Sequence, residues 1–574
     1  MYLRVTKRRN RDGSEVRYYQ LADNVWDAQK QCAVAHVVYN FGRADQLDEA
    51  KLRRLAESIL RVFPAESIEG GGEDIRVLHS WPFGGIYVLE ALWRELTISS
   101  VIDEQLTAAN VEQPFERSLF TMVANRALCP YSKLYCHEQW APNEVFLPSA
   151  TKLELHHFYF GMTFLEENKE AIEKALYFKM ADLMNADVDL IFYDTTSLHC
   201  EVDEEDENEF ERRSLSHPED THRYQPLRRR GHSKNGRGDA PQIVVALAVT
   251  RDGLPVRSWV FPGQTKDDTT IEKVKQDLKG WRLGRCVFVG DSGMNSEENR
   301  KTLSLGGGKY ILASKMRGGG EVTDEVLTRA GRFHEVKENL LAKEVFVGDG
   351  EGRRRYVVCF NREEAKRQGR HRQTLLELLT AELANLKDRS DNSHSKRACE
   401  LLSSARFGRY IRKTKRGKLK VDRAAVAREA ALDGKWVITT NDDTLSVDDL
   451  VLGYKQLMRV EECWRTMKSG LRTRPMFHWR PHRIMAHISL CVLALLLERV
   501  AEIRAGDTWR NIRAKLESIK VVEYVRDNVR VRQTTELGPE LTSLLKRLGV
   551  APPPRLHEIA DAADGRVAGE AAAG

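Results

Sequence analysis

The middle of the chain alternates short, strongly apolar runs with polar punctuation. Val188-Asp189-Leu190-Ile191-Phe192-Tyr193-Asp194-Thr195-Thr196-Ser197 is the first such run. Apolar continuity predicts a strand buried on both faces, and the acid and hydroxyls predict a functional C-terminal end. Residues 243–249 and 256–261 predict two more strands, with Arg251-Asp252-Gly253 as the hairpin turn between them. A helix is expected from Ile271, after Thr269 and Thr270. Residues 286–289 predict another buried strand, closing on Gly290-Asp291-Ser292-Gly293, with Asn295 or Ser296 capping the helix that follows. Residues 310–313 predict a further strand. This order implies a mixed α/β sheet, in which sites form at strand C-terminal ends.

The flanks have different periods. Residues 1–43 alternate short β-prone runs with turns, including Arg11-Asp12-Gly13, and predict a small antiparallel sheet with a basic entry at Lys7-Arg8-Arg9. Leu47, Leu52, Leu55, Ile59 and Leu60 recur at helical spacing over 46–64, and Glu69-Gly70-Gly71-Gly72-Glu73 predicts a break. Helical segments dominate 84–186 and contain no obvious chemistry; they read as a scaffold. Beyond 320, residues 346–347, 356–358 and 435–440 predict strands. Residues 484–503 and 512–522 predict helices. The apolar run 484–497, which contains His487, is read as too short to span a bilayer and as a buried helix instead. The Ala/Gly-rich end after Pro552-Pro553-Pro554 is expected to be disordered.

Composition narrows the class. At 574 residues, with 30% charged and 41% hydrophobic, the chain has room for several packed domains. A net charge of +6 permits nucleic-acid binding without establishing it, so clustering matters more. An acidic stretch over 201–211 precedes a basic one over 228–237, where glycines and a serine between cations suit phosphate contact; Arg230, Lys234 and Arg237 are its candidates. Residues 362–372 and 406–420 are also basic. The nine cysteines form no CxxC pair, which argues against a zinc ribbon and a disulfide framework. Cys136-His137 lacks further ligands at metal-binding spacing. The start of the chain has no apolar signal core, so a reducing cytoplasm is expected.

The candidate chemistry lies in three carboxylates. Asp194 and Asp291 end buried strands. Tyr454, Glu461 and Lys468 are seven residues apart, which on one helix places them on nearly one stripe. Magnesium takes oxygen ligands, usually one or two carboxylates with water and phosphate oxygens. Two such ions roughly 3.5–4 Å apart clamp the entering and leaving oxygens of an in-line phosphoryl displacement. Clustered carboxylates repel one another, so the empty site is expected to be loose.

Together these motifs resemble the DDE transposases of bacterial insertion sequences, in the branch with a Tyr-Arg-Glu-Lys signature helix. The matching residues are Asp194 in Tyr-Asp-Thr-Thr-Ser, Asp291 in Val-Gly-Asp-Ser-Gly, and Tyr454, Glu461 and Lys468. Arg472-Thr473-Arg474-Pro475, Arg483, His487 and the tail 530–537 extend the likeness over nearly the whole chain. One position departs: the signature Arg falls at Leu457, which cannot bind phosphate, leaving Arg459 or Arg465 to substitute or the contact absent. Glu462 adjoins Glu461; the seven-residue spacings favour Glu461.

The resemblance implies an RNase H-like catalytic core with an insertion before the last catalytic helix. The expected regions are a small β and helix subdomain (1–68), a helical DNA-binding scaffold (69–186), the first part of the core (187–319), a β-rich insertion (320–440), the last part of the core (441–505), and a C-terminal helical region and tail (506–574). It implies Asp194, Asp291 and Glu461 as catalytic metal ligands for two Mg2+ ions, with Mn2+ able to substitute. It implies Tyr454, Lys468 and Arg474 on DNA, and Trp436 as the aromatic that stacks a base flipped from the duplex; packing in the core is the competing reading of Trp436. The implied activity is cut-and-paste transposition: cleavage at terminal inverted repeats, a hairpin intermediate, then strand transfer into target DNA by a homodimer at the bacterial nucleoid. A metal-dependent nuclease that never joins ends, and a domesticated DNA-binding protein, are the alternatives. The presence of all three carboxylates argues against the second.

Overall fold

The computed structural model describes residues 2–9, 15–27, 32–43, 47, 54, 75–184, 190–234, 236–279, 281, 287–317, 320, 322–386, 391–415, 417–526 and 529–561. Its chain divides into two compact units, residues 1–76 with 525–528, and 77–524 with 529–574. The first holds β1 (Tyr2–Arg9), β2 (Glu15–Asp27) and β3 (Cys32–Arg43), an antiparallel sheet in sequential order. The turn expected at 11–13, the break at 69–73 and nearly all of the helix expected over 46–64 lie outside the described residues.

In the second unit β4 (Arg76–Pro82) leads into the helices α1 (Gly84–Glu95), α2 (Ile98–Ala108), α3 (Phe115–Leu128), α4 (Leu155–Glu167) and α5 (Lys169–Met184). Then come β5 (Leu190–His199), a small hairpin of β6 (Phe210–Arg213) and β7 (Thr221–Tyr224), the larger hairpin of β8 (Gln242–Val249) and β9 (Pro255–Pro262), α6 (Ile271–Asp277), β10 (Val287–Gly290), α7 (Glu297–Ser304) and β11 (Lys309–Ser314). Ser296 caps α7 by accepting a hydrogen bond from the Asn299 N–H. β12 (His334–Lys337), β13 (Leu340–Val347) and β14 (Arg354–Asn361) precede the long α8 (Arg362–Asn385), α9 (Asp391–Ser403), the hairpin of β15 (Ile411–Lys413) and β16 (Leu419–Val421), α10 (Arg423–Ala431) and β17 (Lys435–Thr440).

Nine of these strands form one sheet, ordered β12-β13-β14-β17-β11-β10-β5-β8-β9. β5, β10 and β11 run parallel at its centre, flanked by antiparallel strands on both sides. Four strands from 320–440 (β12, β13, β14 and β17) therefore continue the sheet that carries Asp194 and Asp291, while β15 and β16 form a separate hairpin. Both faces are covered, which explains why β8 is buried at every position. The side-chain period of two assigns the faces. Ile191 and Tyr193 pack with Ile271, Val274 and Leu303 of α6 and α7. Phe192 and Val289 pack on the opposite face, in the core that includes α12 (Met458–Arg465) and α13 (Pro481–Ala505).

Two expectations change here. The apolar run is part of a 25-residue helix, α13, long and apolar enough to cross a membrane by length and composition, but 89% of that stretch is buried within the protein. It is a core helix because it is apolar on all sides and surrounded by α3, α4, α14 (Trp509–Leu516) and α15 (Pro539–Leu548). The single straight helix expected through Tyr454, Glu461 and Lys468 is instead three segments. α11 (Val447–Lys455) ends just after Tyr454, α12 carries Glu461, and a π-turn over Thr466–Gly470 carries Lys468. The backbone tightens to i→i−3 bonds at Leu457 and Arg459, then widens to an i→i−5 bond from Leu471 to Thr466. The remaining strands β18 (Lys520–Arg526), β19 (Val529–Thr534) and β20 (Leu556–Asp561) form a four-stranded sheet with β4.

Candidate active site

The site starts from strand register. β5 and β10 are parallel neighbours with Phe192 opposite Val289. Two residues further on, the chain reaches Asp194 and Asp291, in phase and on the same face. Asp291 lies just past the end of β10 as expected, but Asp194 is mid-strand, because β5 goes on pairing with β8 as far as His199. Neighbouring strands lie about 4.8 Å apart, so this register sets the two carboxylates side by side. Gly293 turns the chain back, and its N–H donates to Asp291 Oδ1 at 2.7 Å. A Cβ at Gly293 would meet Asp291 Oδ1 at 3.0 Å and Asp267 Oδ2 at 3.7 Å, so the glycine keeps space open between two acids.

The third acid lies on α12, and that helix is bonded to Asp194 through another residue. Trp464, one turn beyond Glu461, donates its indole N–H to Asp194 Oδ2 at 3.1 Å. Glu461 is exposed, whereas Glu462 turns away and pairs with Arg459 at 3.0 Å. Burial pushes the Tyr454 phenol up, and Asp291, Glu461 and Asp194 push it further. Burial likewise raises the Asp194 carboxyl to about 6; Lys234 pulls it down, while Asp291 and Asp267 push it up. Burial pulls Lys468 down, as does nearby Arg474, while Asp194 opposes them.

Lys234 lies in this centre rather than on an outlying loop. Its ammonium donates to the Thr195 carbonyl at 2.8 Å and hydroxyl at 2.7 Å, and pairs with Asp267 Oδ2 at 2.9 Å. The Thr195 hydroxyl in turn donates to Asp267 Oδ1. Sequence reasoning missed Asp267 because it follows the Gly263-Gln264-Thr265-Lys266 loop with no apolar run to mark it. It also missed Trp464, whose only signal was its place one turn after Glu461.

The other candidates are dispersed. Arg230 is paired with Glu205 at 3.6 Å, and Arg237 with Glu201 at 3.3 Å and Asp239 at 3.0 Å. The acidic stretch thus neutralises part of the basic one. Leu457 is a core residue, 8% exposed. Arg465 and Arg474 have no carboxylate partner among the described residues. Trp436, on β17 opposite Cys359 of β14, is half-buried against the core, and its indole N–H has no acceptor.

Carboxylate oxygens on neighbouring strands, with room left by Gly293, suit a hard divalent cation. Among the described residues, however, no three His, Cys, Asp or Glu side chains stand close enough to hold a metal ion. Asp291 and Asp267 are near enough to Asp194 to disfavour its charged form.

Comparison with known proteins places this geometry. The family model "Transposase DDE domain" matches residues 214–497, a span that includes Asp291 and Glu461 and begins after Asp194. The model "IS1634 family transposase, N-terminal domain" matches residues 3–67. No curated protein matches the chain. Among solved structures it is similar to a piggyBac transposase in a synaptic complex with hairpin DNA, at 10% identity and a TM-score of 0.31, over 76% of this chain and 80% of that one. A likeness that loose carries no argument about this chain.

Proposed function

The chain belongs to the DDE transposases of bacterial insertion sequences, and from that premise we propose that it cleaves DNA at the terminal inverted repeats of its own element and joins the freed 3′ ends to target DNA. Asp194, Asp291 and Glu461 are the catalytic residues. The observation that carries this is the pairing of Asp194 with Asp291 on adjacent parallel strands, with the Glu461 helix tied to Asp194 through Trp464.

Asp194, Asp291 and Glu461 would have to draw together from their positions here to hold two Mg2+ ions, or Mn2+, which would supply charge neutralisation at the scissile phosphate and a more acidic nucleophile. The chain's own groups do the rest. Trp464 fixes the orientation of Asp194. The raised Tyr454 phenol stays protonated and donates to a phosphate oxygen. Lys468, Lys234 and Arg474 present cations to the DNA backbone, with Arg465 or Arg459 in place of the signature Arg. Trp436, whose indole N–H is unsatisfied, is the candidate to receive a flipped base during hairpin formation. An RNase H-like core is supported by the central parallel strands carrying both aspartates. Cut-and-paste transposition by a homodimer on DNA, in a bacterial cytoplasm at the nucleoid, completes the reading.

The test is incubation of the protein and Mg2+ with DNA carrying the element's own ends, then sizing of the products. Precut ends that become joined to target DNA support transposition, whereas cutting without joining supports the nuclease alternative. Asp194→Asn with cleavage intact overturns the site.

A further inference from the structure

Phe477 and Trp479 are the most exposed large apolar side chains among the described residues, at 74% and 75%. They lie on the segment between the Lys468 turn and α13. Along it burial alternates: Met476 and His478 turn inward, Phe477 and Trp479 outward. The segment is pinned from beneath. The Met476 N–H donates to the His199 carbonyl at the end of β5 at 3.0 Å, and the Thr473 N–H to the Met467 carbonyl at 3.0 Å. Arg126 donates to the Leu471 carbonyl at 3.2 Å. Arg472 is held at φ 47°, a conformation that a non-glycine residue adopts only when its surroundings impose it. Two aromatic faces are therefore presented to solvent from an anchored backbone, where a monomer with no partner would gain by hiding them.

Charge identifies the partner. Arg472, Arg474 and Arg480 lie on the same segment as the two rings, and none has a carboxylate partner among the described residues. Cations without carboxylate partners beside exposed aromatics are the chemistry that grips unstacked nucleic-acid strands: cations track the phosphates, rings stack the bases. A second copy of this chain would have to bury those guanidiniums without carboxylates, at high desolvation cost. The bond from Met476 to His199 and the bridge of Met476 to Cys200 join the segment to β5, the strand that carries Asp194.

We infer that Phe477 and Trp479 form a stacking platform for unpaired bases of the DNA strand leaving the active site. This rests on the transposase reading and deepens it, by assigning a surface for single-stranded DNA separate from Trp436. Both side chains are exposed, so replacing them leaves the core intact.

The test measures binding of the full-length protein, in EDTA, to a blunt duplex and to the same duplex with a short unpaired thymine tail containing 2-aminopurine. Wild type binds the tailed DNA more tightly and changes 2-aminopurine fluorescence. The Phe477→Ala/Trp479→Ala double variant loses about ten- to a hundredfold in affinity for tailed DNA, keeps its blunt-duplex affinity, and loses the fluorescence change. Trp479→Phe restores most of both. Equal affinity of wild type for the two DNAs, an unchanged double variant, or a double variant altered only in its self-association by sedimentation overturns the inference. None of these outcomes bears on cleavage and joining, so the transposase reading stands or falls by its own assay.

Discussion

The indole N–H of Trp464 donates to Asp194 Oδ2 at 3.1 Å, joining the helix that bears Glu461 to the strand that bears Asp194. The bond serves two ends. It favours the charged carboxylate against the burial that raises it to about 6. It also fixes where the third acid stands. Trp464→Phe keeps the ring volume and loses the donor. Single-turnover end cleavage is expected to fall about ten- to a hundredfold, as for a misplaced reacting group. Removing a hydrogen bond to the charged form raises the carboxyl further, so the acidic limb of the pH–rate profile moves to higher pH. An unchanged profile and rate would reduce Trp464 to packing.

Asp267 holds Lys234 beside Asp194. Asp267→Asn keeps the shape and removes the charge that anchors the ammonium. Turnover is expected to fall about tenfold or more, a barrier increase of about 1.4 kcal/mol or greater, with little change in DNA affinity. Lys234→Gln, by contrast, lowers affinity and reduces the salt slope of binding by about one. Filter binding against salt, with cleavage rates beside it, separates the two.

Glu201 and Glu205 pair with arginines of the basic loop. These contacts are exposed and weak singly, but they occupy cations that phosphates would otherwise engage. Replacing both with Gln is expected to raise nonspecific DNA affinity severalfold and to steepen its salt dependence. Unchanged binding would place this loop away from DNA.

Lys133 is buried with its ammonium 2.7 Å from His487 Nδ1. Burial pulls it from 10.5 down to about 7. Between these values the unfolded chain binds more protons than the folded one, so stability rises with pH across that window and is lost as pH falls towards 7. The contribution is on the order of a few kcal/mol at most. Urea midpoints are expected to rise from pH 7 to pH 9 in wild type, and Lys133→Met is expected to flatten that rise.

Much of the sheet was legible in the sequence. The apolar runs at 190–193, 243–249 and 310–313 announce themselves because strands buried on both faces admit few polar residues. The helix through Tyr454, Glu461 and Lys468 was legible as helical but not as interrupted. Its tightened turn at Leu457 and widened turn at Thr466 respond to the packing of Leu457, Val460, Trp464 and Met467 into the core, and spacing alone does not encode that. The fate of Arg230 and Arg237 was equally hidden, because a basic stretch reads the same whether its counterions are phosphates or the carboxylates of Glu201 and Glu205.

Local patterning settled the local choices: which residues make strands, that Asp291 follows the end of one, and that Glu461 rides a helix beyond a long intervening stretch; it misplaced Asp194, which lies mid-strand in β5. The settled choices follow from burial periodicity and end signals, which act over a few residues. Tertiary structure alone decided that β5 and β10 are parallel neighbours in a register that pairs the two aspartates, that Trp464 closes onto Asp194, and that Asp267 and Lys234 enter the same centre. Register and helix docking are set by how whole faces fill space against one another, and that complementarity is distributed over side chains hundreds of residues apart.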